Sequence, residues 1–387
     1  MYERLVKQNL EKALLRAPAV VLLGPRQVGK TTLAKSLISE NGTYLDLQDE
    51  AQAARLANPR QYLRMQQGRL LVLDEVQHLP TLFNALRGAI DEGRQLGQKS
   101  GMFLLLGSAS LSLIQQTSES LAGRVAFAEL GGLHRLELPA ELWEPLWLRG
   151  GFPESLLAQD DAQSAEWRRD FIKTYLLRDV AAFAPRASAE LLRRLWTMLA
   201  HLQGSLLNAS DLARALEVSA PTVGSYIDLL VDLLLVRRLQ PWHKNSGKRL
   251  TKSPKVYIRD SGLVHRLLGI ANMDALLSHP AVGASWEGHV IESLLAVAPS
   301  DMQASFYRSA GGAEIDLILS SPDGQDIAIE IKRSDAPKLA KGFFSACEDV
   351  RPSKRWLVHG GSGRFWLQDD VQALSLDHAM NELSGFV

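Results

Sequence analysis

The chain has 387 residues, 46% hydrophobic and 22% charged, and its 43 basic and 43 acidic side chains leave a formal net charge of zero. This is long and apolar enough for two or three domains with cores of their own, it excludes a disordered chain, and its neutrality means that any nucleic-acid contact must come from a local patch. The single cysteine, Cys347, excludes an internal disulfide and a cysteine-based zinc site, while a charged start and the lack of any long apolar run exclude a secretory signal and a membrane span, so a cytoplasmic location is expected.

Residues 3–16 space Leu5, Val6, Leu10, Leu14 and Leu15 as an amphipathic helix leading into Ala19-Val20-Val21-Leu22-Leu23, an apolar run suited to a buried parallel strand. Gly24-Pro25-Arg26-Gln27-Val28-Gly29-Lys30-Thr31-Thr32 follows, a full G-x-x-x-x-G-K-[ST] match, and then apolar residues at helical spacing. Strand, glycine-rich loop and helix in that order form a phosphate cradle, because backbone N–H groups and the helix dipole point at phosphate oxygens. Lys30 is placed to reach the β- and γ-phosphates and the Thr31 hydroxyl to ligate Mg²⁺.

Thr43-Tyr44-Leu45-Asp46-Leu47 reads as a second strand, and residues 49–66 as a helical segment interrupted by Pro59. Arg69-Leu70-Leu71-Val72-Leu73-Asp74-Glu75 is an apolar strand ending in two acids. Its carboxyl end brings Asp74 to a metal shell and Glu75 to an attacking water. Phe103-Leu104-Leu105-Leu106-Gly107-Ser108 repeats the geometry with a hydroxyl at the tip. Ser108 is placed either to sense the γ-phosphate or the water, or to cap the next helix. Arg124, after Gly123 and before Val125-Ala126-Phe127, is a candidate to stabilise transferred phosphate in cis or across a subunit boundary; a surface ion pair is the alternative.

The order phosphate loop, Leu73-Asp74-Glu75, Leu106-Gly107-Ser108, Leu121-Ala122-Gly123-Arg124 resembles the AAA+ ATPase class. Together with Gly150-Gly151-Phe152-Pro153-Glu154, Tyr175-Leu176-Leu177-Arg178-Asp179 and Lys255-Val256-Tyr257-Ile258-Arg259-Asp260-Ser261-Gly262-Leu263, it is similar to a prokaryotic branch of that class with a C-terminal region long labelled as of unknown function. The resemblance implies an α/β chain: a doubly wound parallel-sheet ATPase core over 1–135, a helical lid and linker over 136–200, a winged helix-turn-helix over 201–270 and an α/β restriction-endonuclease-like domain over 271–387. It also implies ATP, Mg²⁺ and a homo-oligomeric ring, a hexamer. Arg178 is placed either as a second phosphate-sensing arginine or as a helix-end ion pair.

Leu207–Leu216 reads as a helix with a polar cap, Glu217-Val218-Ser219 as a turn and Ala220–Leu230 as a second helix with Pro221 in its first turn, the sequence form of a helix-turn-helix. Leu233–Leu239 begins a hairpin. From 237 to 259 the ionisable residues are Arg237, Arg238, His243, Lys244, Lys248, Arg249, Lys252, Lys255 and Arg259, with no acid among them. Such a stretch suits DNA phosphates, and Lys244, Lys248, Arg249, Lys252 and Lys255 are the candidate contacts. The second helix offers Thr222, Ser225 and Tyr226 but no Arg, Asn or Gln, so backbone or shape recognition is expected rather than base readout. A protein-binding winged helix is the alternative.

Beyond residue 280, a helix over 286–295 precedes strands at 304–308, 313–319 and 326–332, with a turn at Asp323-Gly324. Asp316 at one strand and Glu330-x-Lys332 on its partner resemble the PD-(D/E)XK nuclease fold, in which two acids hold a divalent metal and the lysine handles a water. Glu287 fits the acid of the preceding helix. A solvated E-x-K face, or a domain that grips DNA without cutting it, are the plainer readings. Three functions follow: an ATP-driven DNA-remodelling ring motor (helicase, translocase or branch migration on forked or junction DNA), an ATP-regulated metal-dependent nuclease, or a regulatory ATPase with a protein partner.

Overall fold

Five strands from the first third of the chain make a wholly parallel sheet in the order β2-β3-β4-β1-β5: β1 (Ala19–Gly24), β2 (Thr43–Asp46), β3 (Leu71–Asp74), β4 (Phe103–Ser108) and β5 (Val125–Glu129). The computed structural model describes residues 2–38, 42–108, 117, 119–177, 188–242, 251–367 and 370–385, with the side chain of Ser108 outside that description. The chain divides into two compact units, Met1–Leu133 with Asp232–Leu234, and His134–Val231 with Leu235–Val387. No helix among the described residues is long and apolar enough to cross a membrane.

In the first unit β1, β3 and β4 are continuously apolar because both faces are covered. Val20, Val21 and Leu22, Leu71 to Leu73 and Leu104 to Leu106 are fully buried. Each such Leu or Val contributes about 1.5–3 kcal/mol by leaving water. Helices α1 (Val6–Arg16), α2 (Lys30–Ser36), α3 (Glu50–Ala53), α4 (Pro59–Met65) and α5 (Leu82–Gln95) connect and cover the strands. Pro59 opens α4 at its first turn behind an Asn58 cap, so the break expected in this segment is also a helix start. Parallel pairing sets Gly24 beside Ser108 and Asp46 beside Asp74. The tips of β1, β2, β3 and β4 therefore share one edge, the carboxyl edge where ligands of such sheets bind.

The second unit opens with α6 (Trp143–Arg149), α7 (Pro153–Leu156), α8 (Asp161–Tyr175) and α9 (Ala189–His201). Next come β6 (Ser205–Leu206), α10 (Ala209–Leu216), α11 (Ala220–Asp232), β7 (Val236–Pro241) and β8 (Lys255–Ile258). The helix–turn–helix and hairpin fall where their caps place them: Asn208 caps α10, and Pro221 lies in the first turn of α11. The remainder is α12 (Ser261–Leu267), α13 (Met273–Ser278), α14 (Val282–Val297), β9 (Gln303–Arg308), β10 (Glu314–Ser320), β11 (Asp326–Lys332), α15 (Lys341–Val350), β12 (Lys354–His359), β13 (Arg364–Trp366), β14 (Val371–Ser375) and α16 (Leu376–Ser384).

One nine-stranded mixed sheet, β13-β14-β12-β11-β10-β9-β7-β8-β6, runs through this unit. β7 pairs with β9 at Gln240–Ser305 and Pro241–Phe306, so the hairpin and the C-terminal strands, expected in separate domains, share a sheet. Strand alternation sorts the core. Ile327, Ile329 and Ile331 join Val290, Ile291, Leu294 and Met380 in one cluster, whereas Ala328 joins Phe343, Ala346 and Cys347 in another.

Candidate functional site

At the carboxyl edge of the first sheet, the chain leaves β1 at Gly24 and turns into α2 through Gly29, whose φ of 99° suits glycine. Lys30 is buried, and its ammonium donates to the carbonyl oxygens of Gly24 and Pro25, both at 2.8 Å. Thr31 Oγ1 donates to Asp74 Oδ2 at 2.7 Å, and the Tyr44 hydroxyl donates to the same oxygen at 2.7 Å. Burial and Asp74 together raise the Tyr44 hydroxyl well above its ordinary pKa, so it remains a donor. The other oxygen, Asp74 Oδ1, accepts the Glu75 N–H at 2.9 Å. Glu75 itself takes a left-handed φ of 53°, a strained conformation costing about 1 kcal/mol or more, and its carboxylate accepts from the Gln77 amide. A threonine hydroxyl and a carboxylate in contact form a hard-oxygen pair of the kind Mg²⁺ takes, so the residues present fit the expected metal.

Arg4 and Tyr44 also belong here, and neither was singled out from the sequence. Arg4 spans from the N-terminal segment to Val28 O (3.1 Å), Gly131 O (2.8 Å) and Gly132 O (2.9 Å), tying the phosphate loop to the chain after β5. Nothing near Arg4 in the sequence signals this; Tyr44 stands two residues from the tip of β2, which is a faint signal.

Arg124 lies elsewhere. Its carbonyl accepts the Ala19 N–H at the amino end of β1, opposite the loop at Gly24, so the cis role does not hold. Its guanidinium makes a two-pronged pair with Asp91, 2.9 and 3.1 Å, and with Arg16, Arg94 and Lys99 it lines a cavity of about 390 Å³. The backbone of Ser108 ends β4 beside Gly24 as expected. Arg178 and Asp179 fall outside the described residues.

Among the described residues of the acid-free run from 237 to 259, Arg237, Arg238, Lys255 and Arg259 are paired with acids from outside it. Arg237 and Arg259 both bind Glu292, Arg259 at 2.8 Å and Arg237 at 2.9 Å through Nη2. Burial alone would raise Glu292, but the two guanidinium groups hold it down at about 2. Arg238 pairs with Asp228. Lys255, expected on DNA, is 2% exposed and buried among carboxylates, which corrects its assignment as a phosphate contact. Lys252 is exposed, while Lys244, Lys248 and Arg249 fall outside the described residues.

Asp316, Glu330, Lys332 and Glu287 do meet in the second unit. A bulge in β10 between Ile315 and Ile318 breaks its register with β9. Pairing with β11 ends at Leu317–Ile329, and Asp316 Oδ2 accepts the Ile331 N–H at 2.9 Å. Lys332 donates to Glu330 Oε1 at 2.7 Å, and the Tyr257 hydroxyl to Glu287 Oε1 at 2.6 Å. Burial, and then Asp316, raise both Glu287 and Glu330 above the ordinary carboxylate range. Lys255 enters the same cluster, 2.8 Å from Glu314, 3.1 Å from Glu287 and 3.7 Å from Asp316. Its burial opposes the charge, yet these three acids hold it above an ordinary lysine. Among the described residues, no three His, Cys, Asp or Glu side chains form a metal-holding group. The set fits a divalent cation only in part: Glu330 Oε2 is buried without a hydrogen-bond partner, but Glu287 is already taken. Glu314, two residues before Asp316 on the same strand, is the member that strand periodicity signals.

The Gly150-Gly151 and Asp260-Ser261-Gly262 motifs interlock and form a structural hub. Asp260 caps α12 through Leu263 N–H (2.9 Å) and accepts the Gly151 N–H (2.7 Å). Gly150 has φ 80°, and a Cβ there would meet the Asp260 carboxylate at 2.2 Å; one on Gly262 would meet Arg149 O at 2.1 Å. Buried Arg168 donates to Ser164 O, Leu148 O and Gly262 O at 2.9–3.1 Å.

The parallel sheet, phosphate loop and Thr31–Asp74 pair define a P-loop nucleotide-binding domain, and a family model described as an AAA domain matches residues 16–138. Models described as domains of unknown function, DUF8612 and DUF4143, match residues 140–274 and 282–379. The chain is 43% identical over 375 residues to the uncharacterized protein Rv2008c of Mycobacterium tuberculosis and, to the same extent, to Mb2031c of Mycobacterium bovis, covering 96% of this chain and 83% of each relative. It belongs to the family of these two mycobacterial proteins. Remote likenesses among solved structures include the Aeropyrum pernix ORC1 protein in complex with DNA (13% identical, 70% of this chain and 93% of that one, TM-score 0.28). Another is a RuvB mutant of Thermotoga maritima (21% identical, 60% and 88%, TM-score 0.30).

Proposed function

We propose that the protein hydrolyses ATP with Mg²⁺ at the Lys30–Thr31–Asp74–Glu75 edge and couples the reaction to work on DNA as a homo-oligomeric ring. The observation that carries the ATPase reading is the 2.7 Å contact of Thr31 with Asp74 beside a lysine held on the loop carbonyls. Bound phosphates would draw Lys30 off the carbonyl oxygens of Gly24 and Pro25. Thr31 and Asp74 would hold Mg²⁺, which would supply positive charge against the charge developing on the transferred phosphate. Tyr44 orients the Asp74 carboxylate, Glu75 accepts a proton from the attacking water, and Ser108 at the tip of β4 senses the γ-phosphate. Since Arg124 sits at the amino edge, its phosphate contact is with a neighbouring subunit, exchanging Asp91 for the transferred group; Arg16, Arg94 and Lys99 add positive charge to that face.

In this reading α9, β6, α10, α11, β7 and β8 form a winged helix that approaches DNA phosphates through Lys252 with Lys244, Lys248 and Arg249, and α14 to β12 form a nuclease-like fold. A second reading, a regulatory ATPase whose winged helix binds protein, is favoured by the internal pairing of Arg237, Arg238, Arg259 and Lys255. ATPase rates with and without single-stranded, duplex, forked and four-way-junction DNA at low salt separate the two, with Lys30→Ala as control. Stimulation by one DNA form supports DNA remodelling. An unchanged rate and no binding at low salt supports the protein partner. ATP turnover that survives Lys30→Ala overturns the site assignment.

A further inference from the structure

The acid cluster of the second unit gathers Glu287 from α14, Glu314 and Asp316 from β10 and Glu330 from β11, with Lys332 beside Glu330. The sixth member comes from the hairpin. Lys255 opens β8, and its ammonium has three acids within reach, at 2.8, 3.1 and 3.7 Å. Tyr257, two residues further along β8, donates to the same Glu287 oxygen that accepts from Lys255. The two-residue strand period puts both on one face of β8, so the hairpin claims Glu287 twice. One oxygen of Asp316 is spent on the Ile331 N–H. What stays open is Glu330 Oε2, which has no hydrogen-bond partner, and Asp316 Oδ1, whose ion-pair distance to Lys255 is a long 3.7 Å.

We propose that the Lys255 ammonium stands in a cation position of this cluster and competes with a divalent metal ion for Glu287 and Asp316. A hard divalent ion needs oxygen ligands at about 2.0–2.6 Å and cannot share Glu287 Oε1 with an ammonium hydrogen-bonded there, nor approach Asp316 Oδ1 without repulsion from the same charge 3.7 Å away. With Lys255 in place the cluster offers two carboxylates, Asp316 and Glu330. Without it Glu287 keeps only the neutral Tyr257 hydroxyl, and three acids can face one ion. A hairpin residue thus sets the metal affinity of a site built from the C-terminal strands, an inference about the cluster that is independent of whether the protein works on DNA.

The test is calorimetric titration of Mn²⁺ into the full-length protein without nucleotide, comparing the native chain with Lys255→Met, which keeps most of the apolar stem. Asp316→Asn in each background gives the baseline and removes any contribution from Thr31 and Asp74. The expected result is an Asp316-dependent affinity roughly 10–100-fold tighter in Lys255→Met, the range typical when groups around metal ligands change. Mn²⁺ should also raise the thermal midpoint of the variant and leave that of the native protein unmoved. Equal affinity in the two proteins, or weaker binding by the folded variant, overturns the proposal. If the variant does not fold without metal, circular dichroism replaces the titration: recovery of the native spectrum on adding Mn²⁺ supports the competition, and a chain that stays unfolded at millimolar Mn²⁺ refutes it.

Discussion

Replacing Arg168 by Met tests whether the interlocked motifs of the second unit are held by one buried cation. Its guanidinium supplies hydrogen bonds at 3.1 Å to Ser164 O, 3.1 Å to Leu148 O and 2.9 Å to Gly262 O, with no exposed surface. Methionine fills much of the volume but removes a donor from each of these carbonyls and takes the positive charge away from buried Asp260. Charge-assisted hydrogen bonds taken singly sum too high, because Ser164 O keeps its helical partner and Leu148 O also meets His265, so about 3–5 kcal/mol, the scale for removing one charged member of a buried network, is the better measure. At ~2–4 °C per kcal/mol in a domain of this size, the unfolding midpoint falls by about 6–20 °C.

The loss also carries a pH signature. Burial already raises Asp260, and Arg168 opposes that rise. Without Arg168 the folded-state pKa climbs further above the unfolded one. An acid so shifted binds more protons when folded, so its folded state gains stability as pH falls through the folded value. The variant's deficit should therefore shrink as pH falls from neutrality toward the ordinary carboxylate range, as followed by calorimetric melting. A deficit under about 1 kcal/mol, or one that widens in acid, would refute the role given to Arg168.

Two further predictions follow from the same kind of reasoning. Glu292→Gln should cost about 3 kcal/mol at neutral pH by stranding Arg237 and Arg259. Because Glu292 is held near 2 against a free value of 4.5, its contribution is present above that free value and lost as pH falls toward 2. The native protein should show this acid limb and the variant should not; matching acid profiles would count against the clamp. Tyr44→Phe removes one donor from Asp74 and should raise the Mg²⁺ concentration for half-maximal ATP hydrolysis roughly 10-fold, with the fold intact. An unchanged Mg²⁺ titration would dismiss Tyr44 as an orienting group.

The phosphate loop and Asp74-Glu75 were legible in the sequence because their geometry is local. Glycine turns, an apolar strand and a helix start fix where Gly24 to Thr32 point, and parallel strands with both faces buried bring Asp74 to the same edge. Strand alternation likewise put Glu330 with Lys332, and caps placed α10 and α11. Arg237, Arg238, Lys255 and Arg259, at the two ends of the basic run, were not legible as paired for the opposite reason. The acids that neutralise them, Asp228, Glu287, Glu292, Glu314 and Asp316, lie outside the run and reach it only through folding.

What the sequence by itself determined was the set of elements and the chemistry of each terminus, since propensity, periodicity and turn residues act over a few positions. Only the tertiary structure decided that Arg124 sits at the amino end of its own sheet, that Arg4 spans to the loop at Val28, that Arg168 is buried against the carbonyls of Leu148 and Gly262, and that Lys255 is an internal counter-ion. A side chain's formal charge is written in the sequence, but its partner and its distance from water are properties of the packed chain, and these settle whether a cation meets a ligand or a neighbouring carboxylate.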